Sequence, residues 1–301
     1  MTRLSHSTAG QMISPALRAW IVAQLAEGHA LPALQQSMRE AGWDDAVAML
    51  ALSQVGVGAP GEALAASIGA VKASATSGDA VTVRAMPGPL LDGAPLFIDA
   101  GDRHVRVLQT MQSPRLVVFG ELLSVEECET LIADARRRLA RSLTVETRTG
   151  GEMLNVDRTS DGMFFERGEN ELVQRIEARI ARLLNWPLEF GEGLQVLRYA
   201  PGAQYRPHYD YFDPAEPGTT SILQRGGQRV ATLVMYLGEP AQGGATTFPD
   251  VGLEVAPQRG SAVFFSYDRP DPSTRTLHGG APVLAGEKWV ATKWLREREF
   301  S

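Results

Sequence analysis

The sequence predicts an α+β, mainly β protein: a double-stranded β-helix (jelly roll) with supporting helices, preceded by a small N-terminal helical domain. Three observations carry that expectation. The stretch from 193 to the end holds five runs of β-branched and aromatic residues divided by Gly- and Pro-rich turns: "GLQVLRYA" (193–200), "QRVATLVMYL" (228–237), "LEVAP" (253–257), "SAVFFSY" (261–267) and "KWVATKWL" (288–295). Two segments with apolar residues at helical spacing come before them. The first hundred residues are instead rich in Ala, Leu, Gln and Met, good helix formers. Short strands with long connections favour a jelly roll over an up-and-down barrel.

A chain of 301 residues forms one large or two small domains, and the change of texture places a boundary near residue 100, giving 1–100 and 101–301. The net charge of −6 speaks against a nucleic-acid partner, which calls for a basic face. A single cysteine, Cys128, excludes an intramolecular disulfide and fits a reducing compartment. No stretch reaches the ~18 apolar residues of a membrane span, and the N-terminus lacks the apolar core of a secretory signal. No membrane partner is expected, and the expected location is cytoplasmic.

In chain order, Ser14 followed by Pro15 suits a helix cap and first position. Gly28 and Gly42 then punctuate two or three short helices, and residues 58–80 drift into small residues as a linker would. His6 and His29 read as solvent-facing. This region carries no chemical constellation and is expected to dock a partner or substrate. Beyond it, "HVRVLQT" (104–110) and "RLVVF" (115–119) read as strands. Ser124 and Glu127 have capping-box spacing at the head of a helix. A second helix over 170–184 puts Leu172, Ile176, Ile180 and Leu183 on one face, with Glu171 and Arg175 spaced to pair on the wet side. Both helices are expected to support a sheet from outside.

The chemistry concentrates in "YRPHYDYF" (205–212). Residues two apart in a strand share a face, so His208 and Asp210 aim an imidazole and a carboxylate at one point. Alone, the pair reads equally well as a surface strand end. His278 changes the balance, because a jelly roll can bring strands distant in sequence together. Two histidines and a carboxylate form the facial triad of non-haem Fe(II) oxygenases, but zinc hydrolases use the same donors. Ligand types therefore leave the metal open.

Lys288 decides between them. It opens an apolar strand, and an ammonium entering a barrel interior needs an anion. A ferrous ion, one aspartate and one lysine leave two positive charges uncompensated, which suits the dianion 2-oxoglutarate. Its keto-acid end can chelate the metal while its far carboxylate meets the lysine. A zinc hydrolase has no comparable need for that cation.

The stretch from about 115 to 298 resembles the prolyl 4-hydroxylase family of Fe(II)/2-oxoglutarate dioxygenases. The matching pieces are "DRTSDGMFF", "LQVLRYAPGAQYRPHYDYF", "RVATLVMYL", "GGATTFPD", "GSAVFFSY" and "LHGGAPVLAGEKWVATKW", in the family's order. The resemblance implies that His208, Asp210 and His278 bind iron and that Lys288 grips the distal carboxylate of 2-oxoglutarate. It implies that Tyr199 and Thr246 hydrogen-bond the cosubstrate, and that Tyr205 and Trp294 face a substrate proline. Trp294 shares strand parity with Lys288, which agrees with the last point. Fe(II), 2-oxoglutarate, O2 and, as an accessory, ascorbate are the implied cofactors. The implied reaction hydroxylates a C–H bond, on a prolyl residue of a peptide or protein, with succinate and CO2 as coproducts. The same chemistry on another residue or a free amino acid, a catalytically silent jelly-roll binding module and a zinc hydrolase stand as alternatives. Loops 144–162 and 212–227 are expected to act as lids. Residues 1–100 lie outside the resemblance.

Overall fold

The computed structural model describes residues 20–21, 24–25, 29–41, 43, 48–49, 51–52, 86–141, 143–145, 152–154 and 159–301. The chain divides into two units, Met1–Thr82 and Val83–Ser301. In the first, helix α1 (Leu31–Glu40) carries Pro32 in its first turn, where a missing N–H costs nothing. Its Leu34 and Met38 meet Ile21, Ala48, Ala51 and Leu52 in a small apolar cluster. His29 is exposed, as expected. The helix start at Ser14–Pro15, His6, Gly28, Gly42 and the 58–80 linker fall outside the described residues.

Among the described residues, the second unit has seventeen strands: β1 (Phe97–Asp99), β2 (His104–Met111), β3 (Arg115–Gly120), β4 (Ala140–Arg141), β5 (Leu143–Val145), β6 (Glu152–Leu154), β7 (Asp161–Phe165), β8 (Leu194–Tyr199), β9 (Tyr205–His208), β10 (Arg229–Gly238), β11 (Gln242–Gly243), β12 (Thr246–Phe248), β13 (Leu253–Val255), β14 (Ala262–Ser266), β15 (His278–Gly280), β16 (Val283–Ala285) and β17 (Lys288–Arg296). Nine form the major sheet in the order β1-β2-β3-β14-β10-β17-β8-β7-β4, and four form the minor sheet β13-β12-β15-β9. Every pairing in both sheets is antiparallel. Residues 86–100, expected in the N-terminal region, lie with this unit: β1 pairs with β2, and Gly88 N–H donates to the Leu184 carbonyl at 2.8 Å. A three-residue strand flanked by turns has too little periodicity to announce itself.

Strand alternation explains how the major sheet serves two cores. Leu233, Met235, Ala291, Leu295 and Phe264 face the helices. Tyr236, Val290, Val263, Phe265, Leu197 and Tyr199 face the minor sheet, with Phe248 and Val255 opposite them. The functional cavity opens between the two sheets, on this second face. Helix α2 (Val125–Arg136) begins at the expected capping box: Ser124 accepts from Glu127 N–H while Glu127 accepts from Ser124 N–H. Helix α3 (Glu171–Leu183) is capped by Asn170 and buries Ile176, Ile180 and Leu183 against the sheet, with Leu172 half-covered. Arg175 does not turn to Glu171; it reaches Glu127 of the neighbouring helix at 3.3 Å, a partner that helix spacing alone could not reveal. The expected 212–227 lid contains a short helix, α4 (Thr219–Gln224). Much of 144–162 lies outside the described residues. Among the described residues, no helix is long and apolar enough to cross a membrane.

Arg179 ties the two supporting helices together. Its guanidinium, 1% exposed, donates twice to Asp102, twice to Glu127 and once to the Leu122 carbonyl. All five N–H donors are thus used. Among the described residues, Arg179→Leu leaves the buried Glu127 with the Ser124 N–H and with two more distant cations, Arg103 and Arg175, at 3.8 and 3.3 Å. The expected loss is about 3 kcal/mol, the lower range for breaking a buried pair. Urea denaturation checks it, and a loss below about 1 kcal/mol, ordinary for surface pairs, would contradict it.

Candidate metal centre and cosubstrate pocket

Two glycines and a proline prepare this site. Pro207 sits in β9, an edge strand of the minor sheet, where a missing N–H breaks no ladder. Gly279 follows His278, and a Cβ there would stand 2.9 Å from the Tyr205 carbonyl oxygen and 3.1 Å from Pro207 N. Only a bare backbone lets β15 lie this close to β9. The result is a register that sets His278 directly opposite His208. Gly244 has φ +73°, and a Cβ there would press on Lys288 Cδ at 3.3 Å.

The paired part of β9 stops at His208, so Asp210 lies just beyond the ladder. Side chains, rather than sheet bonds, hold it. Gln228 clamps the next residue but one, accepting from Phe212 N–H at 2.8 Å and donating to the Phe212 carbonyl at 2.7 Å. Thr232, fully buried on β10, donates its hydroxyl to Asp210 Oδ2 at 2.7 Å. With Asp210 so placed, its Oδ1 lies 3.5 Å from His208 Nε2 and its Oδ2 lies 3.4 Å from His278 Nε2. One donor atom from each of the three residues falls within 4.8 Å of the others.

The protonation states suit a metal. The Nδ1 of His208 lies 2.9 Å from the Arg206 carbonyl and that of His278 lies 3.0 Å from the Thr276 carbonyl. A carbonyl can only accept, so both Nδ1 atoms carry a hydrogen, which leaves Nε2 of each ring, the atom turned toward Asp210, as the one available to a metal. Burial pushes the His278 ring down to about 4 against the pull of Asp210, which keeps it neutral. Burial alone would raise the Asp210 carboxyl, but His278, His208 and Arg229 together hold it far below the usual carboxylate range. Two imidazoles and one carboxylate therefore converge.

All eight residues singled out from sequence line one cavity: Tyr199, Tyr205, His208, Asp210, Thr246, His278, Lys288 and Trp294. Lys288 opens β17 opposite Tyr199 and is 4% exposed. Its Nζ sits 5.5 Å from the Tyr199 ring centre and 5.8 Å from that of Tyr236. Among the described residues it has no carboxylate partner, and burial pushes its pKa down to about 8. Thr246 accepts a hydrogen bond from the Tyr236 hydroxyl at 2.8 Å, which leaves its own O–H to donate elsewhere. Tyr205 stacks on His208 with ring centres 3.7 Å apart. Trp294 lies on the cavity face of β17, as its parity with Lys288 predicted, and carries the Arg229 guanidinium 4.0 Å over its ring.

Sequence reasoning missed several members of this site. Thr232, Val234 and Tyr236 alternate along β10 on the cavity side, and Thr292 lies between Lys288 and Trp294 on β17. A threonine and a tyrosine at even spacing inside "VATLVMYL" were the available signal. Arg229 chelates Glu192 at 2.7 and 2.9 Å, a pairing across 37 residues that no local pattern announces.

Residues 194–296 match the family model of the 2OG-Fe(II) oxygenase superfamily. Prolyl 4-hydroxylase 5 of Arabidopsis thaliana is 41% identical over 221 residues, which span 66% of this chain and 74% of that protein. The chain belongs to the prolyl 4-hydroxylase family. Prolyl 4-hydroxylase 1 of the same plant is 45% identical over 208 residues, covering 63% of this chain and 71% of the relative. A viral collagen prolyl hydroxylase of Paramecium bursaria chlorella virus-1, crystallised with 2-oxoglutarate, is 32% identical over 60% of this chain and 95% of its own, with a TM-score of 0.46. Membership makes this prolyl 4-hydroxylase-family chain an enzyme, a 2-oxoglutarate-dependent dioxygenase, and the family's chemistry implies Fe(II), 2-oxoglutarate and O2.

Proposed function

We propose that this enzyme hydroxylates a prolyl residue of a peptide or protein substrate, with His208, Asp210 and His278 holding Fe(II) and Lys288 gripping the far carboxylate of 2-oxoglutarate. One observation carries the reading: a carboxylate between two imidazole Nε2 atoms shares a cavity with a buried ammonium that has no carboxylate partner among the described residues. The donor set fits ferrous iron, and the cation fits a diacid whose other end reaches that iron. When bound, the metal and cosubstrate supply the oxidant for C–H hydroxylation, releasing succinate and CO2. The protein's share is positioning and exclusion of competing reactions.

Each residue has a defined task in that reading. Both imidazoles keep their orientation through the Arg206 and Thr276 carbonyls. Tyr199 and Thr246 flank Lys288 where cosubstrate oxygens would lie, and the Thr246 O–H is free to donate because Tyr236 fills its acceptor role. Tyr205 and Trp294 supply aromatic surface near the reacting centre, and a prolyl ring packs well on such faces. The names of the plant relatives support prolyl 4-hydroxylation. Ascorbate, which the family resemblance brings in, would act as an external reductant and is assigned no residue here. For the N-terminal unit, which packs a small apolar cluster of its own, we propose a docking role.

The test is turnover of proline-containing peptides, read by mass spectrometry for one added oxygen on proline, with His278→Ala as the blank. Trp294→Ala is expected to raise the peptide KM at least about tenfold, equivalent to ~1.4 kcal/mol, while the 2-oxoglutarate KM stays within about twofold. An unchanged peptide KM would remove Trp294 from substrate contact. Oxygen added to another residue, or to a free amino acid, would redirect the substrate assignment and leave the metal site standing.

A further inference from the structure

We infer that Thr232 and Tyr267 are positioning residues for the metal carboxylate: a two-hydroxyl relay that ties up one oxygen of Asp210 and leaves the other for the ion. The inference rests on the proposed role of His208, Asp210 and His278 as the iron site. It concerns two residues on neighbouring strands that contribute no metal donor themselves.

The relay has a fixed direction. Thr232 Oγ1 lies 2.7 Å from Asp210 Oδ2 and 3.0 Å from the Tyr267 hydroxyl. An ionised carboxylate has no proton to give, so the single Thr232 proton must point at Asp210. Thr232 Oγ1 then faces Tyr267 with lone pairs only, and the Tyr267 O–H must be the donor. Burial keeps that phenol protonated, since it lifts its pKa well above the ordinary value. The order is therefore Tyr267 to Thr232 to Asp210.

Both hydroxyls are paid for in burial. Thr232 is 0% exposed and Tyr267 is 2% exposed, deep in the wall between the sheets. Tyr267 follows β14 directly and is fixed there by its own N–H donating to the Val230 carbonyl at 2.9 Å. Phe265, two residues earlier on the same face, pairs with Thr232 across the β10–β14 ladder. The relay is thus anchored to the major sheet, whereas His208 and His278 belong to the minor sheet. Asp210 spans the gap, and Thr232 is the tie that fixes its rotation. With Oδ2 taking the Thr232 proton, Oδ1, which accepts no such bond, would be the stronger donor atom toward an ion held with the two histidines.

A hydrogen bond of this kind to a ligating carboxylate is worth about ten- to hundredfold in metal affinity. Anaerobic titration with Co(II), read by its visible d–d absorption, measures that without turnover. Thr232→Val, which keeps the shape and removes the donor, is expected to weaken Co(II) by about ten- to hundredfold and to shift the band. Thr232→Ser restores the donor and is expected to bind within about threefold of wild type with the wild-type band. Tyr267→Phe is expected to lose affinity by a smaller factor than Thr232→Val. A merely structural role would move the melting temperature while leaving the band and the serine rescue unexplained. Wild-type Co(II) affinity and band in Thr232→Val would overturn the inference and leave the iron site intact. Should the valine variant not fold, Tyr267→Phe carries the test: a several-fold loss supports the relay, and wild-type affinity overturns it. A wild-type protein that takes up no Co(II) would overturn the metal site and this inference together.

Discussion

Asp210→Ala is expected to abolish turnover and to strip the protein of retained iron. The carboxylate is the one anionic donor among three, and it alone stands between the two Nε2 atoms, at 3.5 and 3.4 Å. Its loss removes a charge-neutralising donor and frees two imidazoles that no longer converge on a common partner. The fall in metal affinity should exceed the ~100-fold upper range seen when only an outer hydrogen bond is lost. The fold should survive, because Asp210 contributes charge rather than apolar packing and its removal relieves a buried anion. Bound iron measured after dialysis and succinate formation check the prediction together. Iron retained at wild-type stoichiometry in a folded Asp210→Ala protein would show that the metal lies elsewhere.

Lys288→Ala is expected to spare the iron and cripple the cosubstrate. Its ammonium is 4% exposed and has no carboxylate partner among the described residues, so a bound dianion meets a cation that has already been desolvated. Removing one member of a buried pair costs ~3–5 kcal/mol, about a hundredfold or more in the 2-oxoglutarate KM. The pH dependence follows from its position. Without an anion Lys288 titrates at about 8 instead of 10.5, so above pH 8 an increasing fraction is neutral. Binding of 2-oxoglutarate should be flat below about pH 7.5 and weaken by up to about tenfold per unit above 8. The same shift penalises folding of the anion-free protein: the penalty is fully present below pH 8 and is relieved as pH rises toward 10.5. Stability from this group therefore rises with pH across that window, and Lys288→Met should abolish the rise. An alkaline decline in cosubstrate affinity that persists in Lys288→Met would assign it to another group.

Much of this site could be read from sequence because its parts obey short-range rules. His208 and Asp210 are two apart, Lys288 and Trp294 share a parity, and Ser124 with Glu127 has capping-box spacing. Each is a local pattern that the fold preserved. The His278–His208 register was legible only as a possibility, since it depends on Gly279 giving β15 room beside β9. What was not legible is long-range. Arg229 finds Glu192, Arg179 finds Asp102 and Glu127, and Thr232 finds both Asp210 and Tyr267. These partners are fixed by sheet order, with β10 between β14 and β17, and sheet order is not written in any one segment. The same holds for residues 86–100, whose place beside β2 and α3 is a tertiary fact.

Visible absorption of the anaerobic protein, given Fe(II) and then 2-oxoglutarate, bears most directly on whether three side chains and one lysine assemble a single iron–cosubstrate site. Wild type should develop a weak metal-to-ligand charge-transfer band that saturates with one equivalent of each. In Lys288→Ala the band should appear only at far higher 2-oxoglutarate, and in Asp210→Ala it should be absent. A wild-type protein without the band, or a band that survives in Asp210→Ala, would contradict the assignment of this cavity.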